Sequence, residues 1–155
     1  MSIRSGSFAA FVYLVTAASL PAVAQEQGHV MASGEKLGTV HFETSCSAVA
    51  TPQFDRAVAL MHSFEFSGAI GAFNETLRTD PDCTMTHWGI ALSRWGNPFA
   101  AGIRPAAQLR QGLEAVEQAN RVGAKTDRER AYIAAVAKLY ADFERVDQAT
   151  RVRAY

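Results

Sequence analysis

Apolar residues recur at steps of three and four along most of the chain, with sharp breaks at Gly and Pro. Phe54, Val58, Met61 and Phe64 make a first stripe, Ile70, Phe73 and Leu77 a second, and Met85, Trp88, Leu92 and Trp95 a third. This spacing turns one face of a helix toward a core. Thr51-Pro52 and Asp80-Pro81 stand before the first and third stripes and read as helix starts. In each, an oxygen-bearing side chain can accept from orphan N–H groups, and Pro at the first helical position lacks only an N–H that has no partner there. Gly96-Asn97-Pro98 then opens a loop to Arg104. Pro105 starts a fourth helix, with Leu109, Leu113 and Val116 on one face and Gly123 as its C′ residue. Thr126-Asp-Arg-Glu129 has the form of a capping box. The helix it opens carries Tyr132, Ile133, Val136, Leu139, Tyr140 and Phe143. A sixth helix is expected near Asp147, with Val152 and Tyr155 as its apolar residues. Its stripe has barely begun at Tyr155, which reads as the N-terminal part of a longer helical array.

The residues before the first stripe follow other rules. Arg4, the uncharged and largely apolar run Phe8–Leu20, Pro21 and the small-x-small site Ala22-Val23-Ala24 make up a secretory signal over residues 1–24. That run has 13 residues, short of the roughly 20 a membrane-spanning helix needs. Export to the periplasm or the extracellular space is therefore expected. A mature chain starting at Gln25, with no stable membrane insertion after cleavage, follows from the same pattern. Residues 25–50 form a polar leader followed by an extended arm, in which Val40 and Phe42 alternate with polar neighbours. Residues 51–155 are the helical region.

Composition narrows the functional classes. The chain has 155 residues, 48% of them hydrophobic, and 15 basic against 15 acidic side chains. A nearly neutral chain without a basic stripe is not built for nucleic acid. The alternating charges at Asp127–Arg130 suit a solvated helix face.

The helices read as pairs, first with second, third with fourth, fifth with sixth. Pro81 and Ala124, each closing a pair, are 43 positions apart. The loop Gly96–Arg104 accounts for the excess over a repeat of about 34 residues. Here the sequence resembles the tetratricopeptide repeat (TPR) family. Ala69, Phe73, Leu77 and Pro81 sit at that family's spacing for its small residue, aromatic, following apolar position and closing proline. Ala57 matches the small residue of its first helix. Gln53, Arg56 and Leu60 depart from the pattern, standing where the family favours Trp, Leu and Tyr. The second unit matches through Ile90 and Ala91, with His87 in the Trp position. The string Leu37–Phe99 also resembles a group of exported bacterial TPR proteins, through Ser45-Cys46-Ser47, Asp80-Pro-Asp-Cys83 and His87-Trp-Gly-Ile-Ala91. The resemblance implies an all-α fold, a short α-solenoid of stacked antiparallel helix pairs. Its concave surface would bind a protein or peptide.

Candidate chemistry is sparse. Two cysteines in an exported chain suggest a disulfide, and Cys83 on the first turn of the third helix favours thiolate. First and third helices are neighbours in such repeats, which would bring Cys46 and Cys83 together. Unpaired thiols, or a reactive or metal-binding role, are the alternatives. His41, His62 and His87 lack HExxH, an i,i+4 His pair or any CxxC spacing, so no metal is expected, and His62 beside Met61 and His87 beside Trp88 read as boundary residues with rings partly covered. No GxSxG, phosphate loop or Ser/His/Asp pattern is present, so neither catalysis nor a cofactor is expected. Trp88 and Trp95 read chiefly as core at their seven-residue spacing. Trp95 with Phe99, the latter in the loop, is the candidate for partner contact. The functional expectation is an extracytoplasmic protein–protein interaction scaffold. The alternative is the helical N-terminal part of a larger exported enzyme or metal-binding protein.

Overall fold

The computed structural model describes residues 37–98, 100 and 102–155. The expected signal and most of the expected leader, with Phe99, lie outside the described residues. Six helices follow the arm: α1 Thr51–His62, α2 Phe66–Thr79, α3 Thr84–Trp95, α4 Ala106–Val122, α5 Asp127–Tyr140 and α6 Gln148–Ala154. There is no strand among the described residues.

Each helix packs on the next, and α3 also touches α1 and α5. The odd-numbered helices α1, α3 and α5 thus stand in one row, with α2 and α4 in the gaps behind them. The core runs continuously through both layers, from Phe54, Val58 and Leu60 through Phe73, Met85 and Trp88 to Val116, Val136, Leu139 and Tyr140. Of the residues that carry the family resemblance, Ala57, Ala69 and Phe73 are fully buried, Leu77 is half-buried and Pro81 is exposed.

The ends of the helices show which local signals are read as written. Thr126 accepts from the Glu129 N–H at 3.2 Å while the Glu129 carboxylate takes the Thr126 N–H at 3.2 Å, so the capping box is complete. Gly123 closes α4 with φ +84°, a conformation that glycine adopts without steric penalty. Asp80-Pro81, by contrast, does not start α3. The helix begins at Thr84 with Cys83 in the capping position, and Asp80-Pro81 belongs to the turn that leaves α2. The Asp80 carboxylate accepts instead from the N–H groups of Ser47, at 2.6 Å, and Asp82, at 3.2 Å. A partner from the arm outcompetes the local cap. At α1 the helix already includes Thr51, whose hydroxyl donates to the Ser47 carbonyl at 3.1 Å, and Ala50 stands in the capping position.

Phe64, the last member of the first stripe, is not helical. It lies beyond α1 at φ +64° with half its surface exposed, 51%. The Phe64 N–H bonds the Met61 carbonyl and the Glu65 N–H reaches the Leu60 carbonyl at 3.0 Å. That pair of bonds is a Schellman closure with Phe where glycine is usual.

The sixth helix also departs from the stripe. Val152 and Tyr155 are 46% and 54% exposed, while Arg151 is buried. Its guanidinium donates to the carbonyls of Val146 and Leu139 and lies over the Trp95 ring. Carbonyls left over at the end of α5 have no intrahelical donor, so a cation with several donors is a better occupant there than a methyl group.

Candidate functional site

Among the described residues, two places present arranged side chains that bear on function. The first is the row α1/α3/α5, across which the arm lies. Phe54 and Asp55 come from α1, Trp88 from α3, and Arg128, Glu129 and Tyr132 from α5. Phe54 and Trp88 are 34 positions apart in the chain. These side chains surround Phe42 of the arm, whose ring stacks on Trp88 at 5.3 Å between centroids. It meets Tyr132 edge-on at 5.5 Å and Phe54 at 5.9 Å. The Arg128 guanidinium covers both Phe42 and Tyr132, at 5.0 and 5.2 Å. Aromatic pairs and a cation over a ring each add a modest attraction beyond the area they bury.

The main chain of the arm is held as well. The Phe42 N–H donates to Asp55 Oδ1 at 3.0 Å, and Arg128 donates to the Glu43 carbonyl. Three residues beyond Phe42, the N–H of Ser45 reaches Glu129 Oε1 at 2.7 Å, and its hydroxyl meets both carboxylate oxygens at 2.8 Å. Burial pushes the Glu129 carboxyl up, but the Ser45 and Thr126 donors outweigh it and hold the group below its ordinary value of 4.5. Glu129 therefore stays ionised and receptive inside the protein. Cys46 and Cys83 follow at disulfide distance, with Cα atoms 4.6 Å apart, inside the range a bridge requires. Asp80 is the third potential ligand beside these sulfurs. With the sulfurs bonded to each other, that trio offers a cation only a carboxylate.

The second place is an apolar groove of about 410 Å³ at the C-terminal ends of α1 and α3, closed on one side by α6. Met61, Phe64, Phe66, Trp95, Val152 and Tyr155 are among the residues that line it. Trp95 itself is 5% exposed, so only its edge reaches the groove. Two guanidiniums lie over its ring, Arg104 at 5.0 Å and Arg151 at 5.8 Å, and it meets Tyr140 edge-on at 6.0 Å. Arg104 shapes the loop after α3, donating to the carbonyls of Trp95, Asn97, Ala100 and Gly102. Gln148 ties that loop to α6 by accepting from the Arg104 N–H at 2.8 Å and donating to the Gly102 carbonyl at 2.9 Å.

The histidines are scattered. His41 is exposed beside Asp55 at 3.7 Å. His62 is exposed at the end of α1 rather than partly covered, and His87 is half-buried on α3, where burial lowers its pKa. Glu129 was legible as a helix cap, but the hold of Asp55, Arg128 and Glu129 on the arm escaped the sequence reading. An isolated carboxylate or guanidinium among solvated charges shows nothing until a partner from far along the chain reaches it. The offset of 34 between Phe54 and Trp88 was the available signal.

No family model matches the chain, and neither does any curated protein or solved structure. The class is set by the fold alone: an all-helical protein of packed consecutive helices, in which a segment that is neither helix nor strand lies across one row. No helix among the described residues is long and apolar enough to cross a membrane.

Proposed function

We propose that this protein is an interaction scaffold of the tetratricopeptide type, a short α-solenoid working outside the cytoplasm and binding another protein or a peptide. One observation carries the reading. The α1/α3/α5 row holds a non-helical segment through a main-chain N–H, a main-chain carbonyl and one aromatic side chain. Main-chain bonds that hold a segment and a side-chain pocket that selects one residue of it are a combination by which proteins recognise peptide segments. The 34-residue offset between Phe54 and Trp88 supports a repeat of the family's length. The signal-like N-terminus and the cysteine pair at disulfide distance support an oxidising, extracytoplasmic location.

The test is site-specific photocrosslinking in the exporting host. A photoreactive residue at Thr39 or Glu43, on the arm side, is expected to yield a discrete adduct with another polypeptide. The same residue at Asn74 on α2 or Gln118 on α4 is expected to yield none. Equal labelling from both sides, or none from either, overturns the scaffold reading. Export is tested separately: N-terminal sequencing of exported material is expected to begin at Gln25, and a start at Met1 counts against it.

A further inference from the structure

The arm is held unevenly along its length. From Ser45 to Ser47 it is fixed by the Glu129 carboxylate, the Cys46–Cys83 pair and the Asp80 carboxylate. Upstream of Thr44, among the described residues, its hydrogen bonds to the helices are the Phe42 N–H to Asp55 and the Glu43 carbonyl from Arg128. Leu37, Val40 and Phe42 add partly buried apolar contacts with the core. The Phe42 ring covers Phe54 and Trp88, which are 0% and 5% exposed with it in place. A pinned pivot therefore carries a segment of seven residues, numbers 37–43, that lies on the aromatic surface by a few replaceable contacts.

We propose that residues 37–43 are a tethered occupant of the binding face, displaced by a partner segment that copies them: extended, with an aromatic side chain for the Phe54/Trp88/Tyr132 pocket. A hydroxyl-bearing residue three positions after the aromatic ring is not required of the partner, because Ser45 stays with Glu129 at the pivot. The proposal rests on the scaffold reading for its partner. The occupant in the structure belongs to the same chain because the pivot joins α1 within a few residues and its cysteine is paired within the chain. An intramolecular segment acts at an effective concentration in roughly the millimolar range, so it excludes weak extended peptides and admits those that hold the face better. The arm thereby sets a threshold for binding and keeps an aromatic surface out of water when no partner is present.

The experiment uses the full exported chain and a fluorescein-labelled peptide with the sequence of residues 37–45, followed by anisotropy. Phe42→Ala empties the pocket without touching the helices, and Phe42→Tyr refills it. The peptide is expected to bind Phe42→Ala at least about tenfold more tightly than wild type or Phe42→Tyr, and to lose that affinity when its own Phe is replaced by Ala. Val40→Asp, a second way of loosening the arm, is expected to behave like Phe42→Ala, and circular dichroism verifies that both variants keep their helices. Equal binding to wild type and Phe42→Ala overturns the proposal, as does no binding to either loosened variant. A concentration-dependent wild-type dimer that the free peptide dissociates would assign the occupant to a second copy and also count against it. Failure here leaves face-specific crosslinks unexplained but intact. Peptide uptake without any crosslinked partner leaves the tethered occupant standing and removes the scaffold reading.

Discussion

Ser45 donates both its backbone N–H and its hydroxyl to the Glu129 carboxylate, 84 positions further along the chain. Glu129 is 2% exposed and simultaneously completes the N-terminal cap of α5 through the Thr126 N–H. One carboxylate thus ends a helix and fastens the arm. A carboxyl held below its unfolded value stabilises the fold above that value, and the contribution disappears as pH falls through the folded one. Acid should therefore weaken the protein below the ordinary glutamate value of 4.5. Glu129→Gln should flatten that acid limb in urea titrations run from about pH 7 to about pH 3. Glu129→Ala should cost about 3 kcal/mol at neutral pH, since it strands the Ser45 and Thr126 donors. An unchanged acid limb in Glu129→Gln would show that other carboxylates set it.

The Cys46–Cys83 pair spans 37 positions. Closing such a loop removes denatured-state entropy equivalent to about 4 kcal/mol at most. Cys46→Ser, Cys83→Ser and the double variant should lose similar stability, because each deletes the same bridge. Two free thiols in the native protein, found by labelling, would rule the bridge out.

Gly89 on α3 lies against the face of the Phe73 ring on α2, and an added Cβ would overlap that ring. Gly89→Ala gains about 1 kcal/mol of helix propensity but forces overpacking of about 1–3 kcal/mol. A net loss is expected. Combining it with Phe73→Leu should give less than the sum of the two losses, because the smaller side chain makes room. Strict additivity in a thermal-unfolding cycle would show that the two residues do not press on each other.

Phe64 holds a left-handed conformation, φ +64°, that costs a bulky L-residue roughly 1–2 kcal/mol. Its ring stands over the apolar groove against Phe66, at 6.0 Å between centroids. Phe64→Gly should raise the melting temperature by relieving that conformation, less whatever the ring contact contributes. A lower melting temperature would mean that the contact with Phe66 outweighs the backbone cost.

Arg151 ties α6 to the end of α5. Its two hydrogen bonds to carbonyls are charge-assisted, each worth about 1.5–3 kcal/mol. Arg151→Met, which keeps the apolar stem, should still expose the α6 amides to faster hydrogen exchange while α1–α4 stay protected. Uniform protection through Tyr155 in that variant would place the attachment elsewhere.

Local sequence determined the helices. Periodic stripes placed five of the six within a few residues, and Thr126, Glu129 and Gly123 marked their ends, because caps and positive-φ closures need only residues a turn away. The apolar positions of the arm were legible too, since Val40 and Phe42 both pack partly buried against the core. Tertiary structure decided the rest, wherever a residue had a local option and a distant partner offered more. Asp80 could cap a helix, yet Ser47 takes its carboxylate. Phe64 continues a stripe, yet the Schellman bonds end the helix before it. Val152 and Tyr155 form the apolar stripe of α6, yet Arg151 is the residue buried, because the carbonyls at the end of α5 need donors that an apolar side chain lacks. The face around Phe42 lies furthest from local reading. Its members come from the arm and three helices, and their arrangement exists only once non-adjacent helices stand in one row.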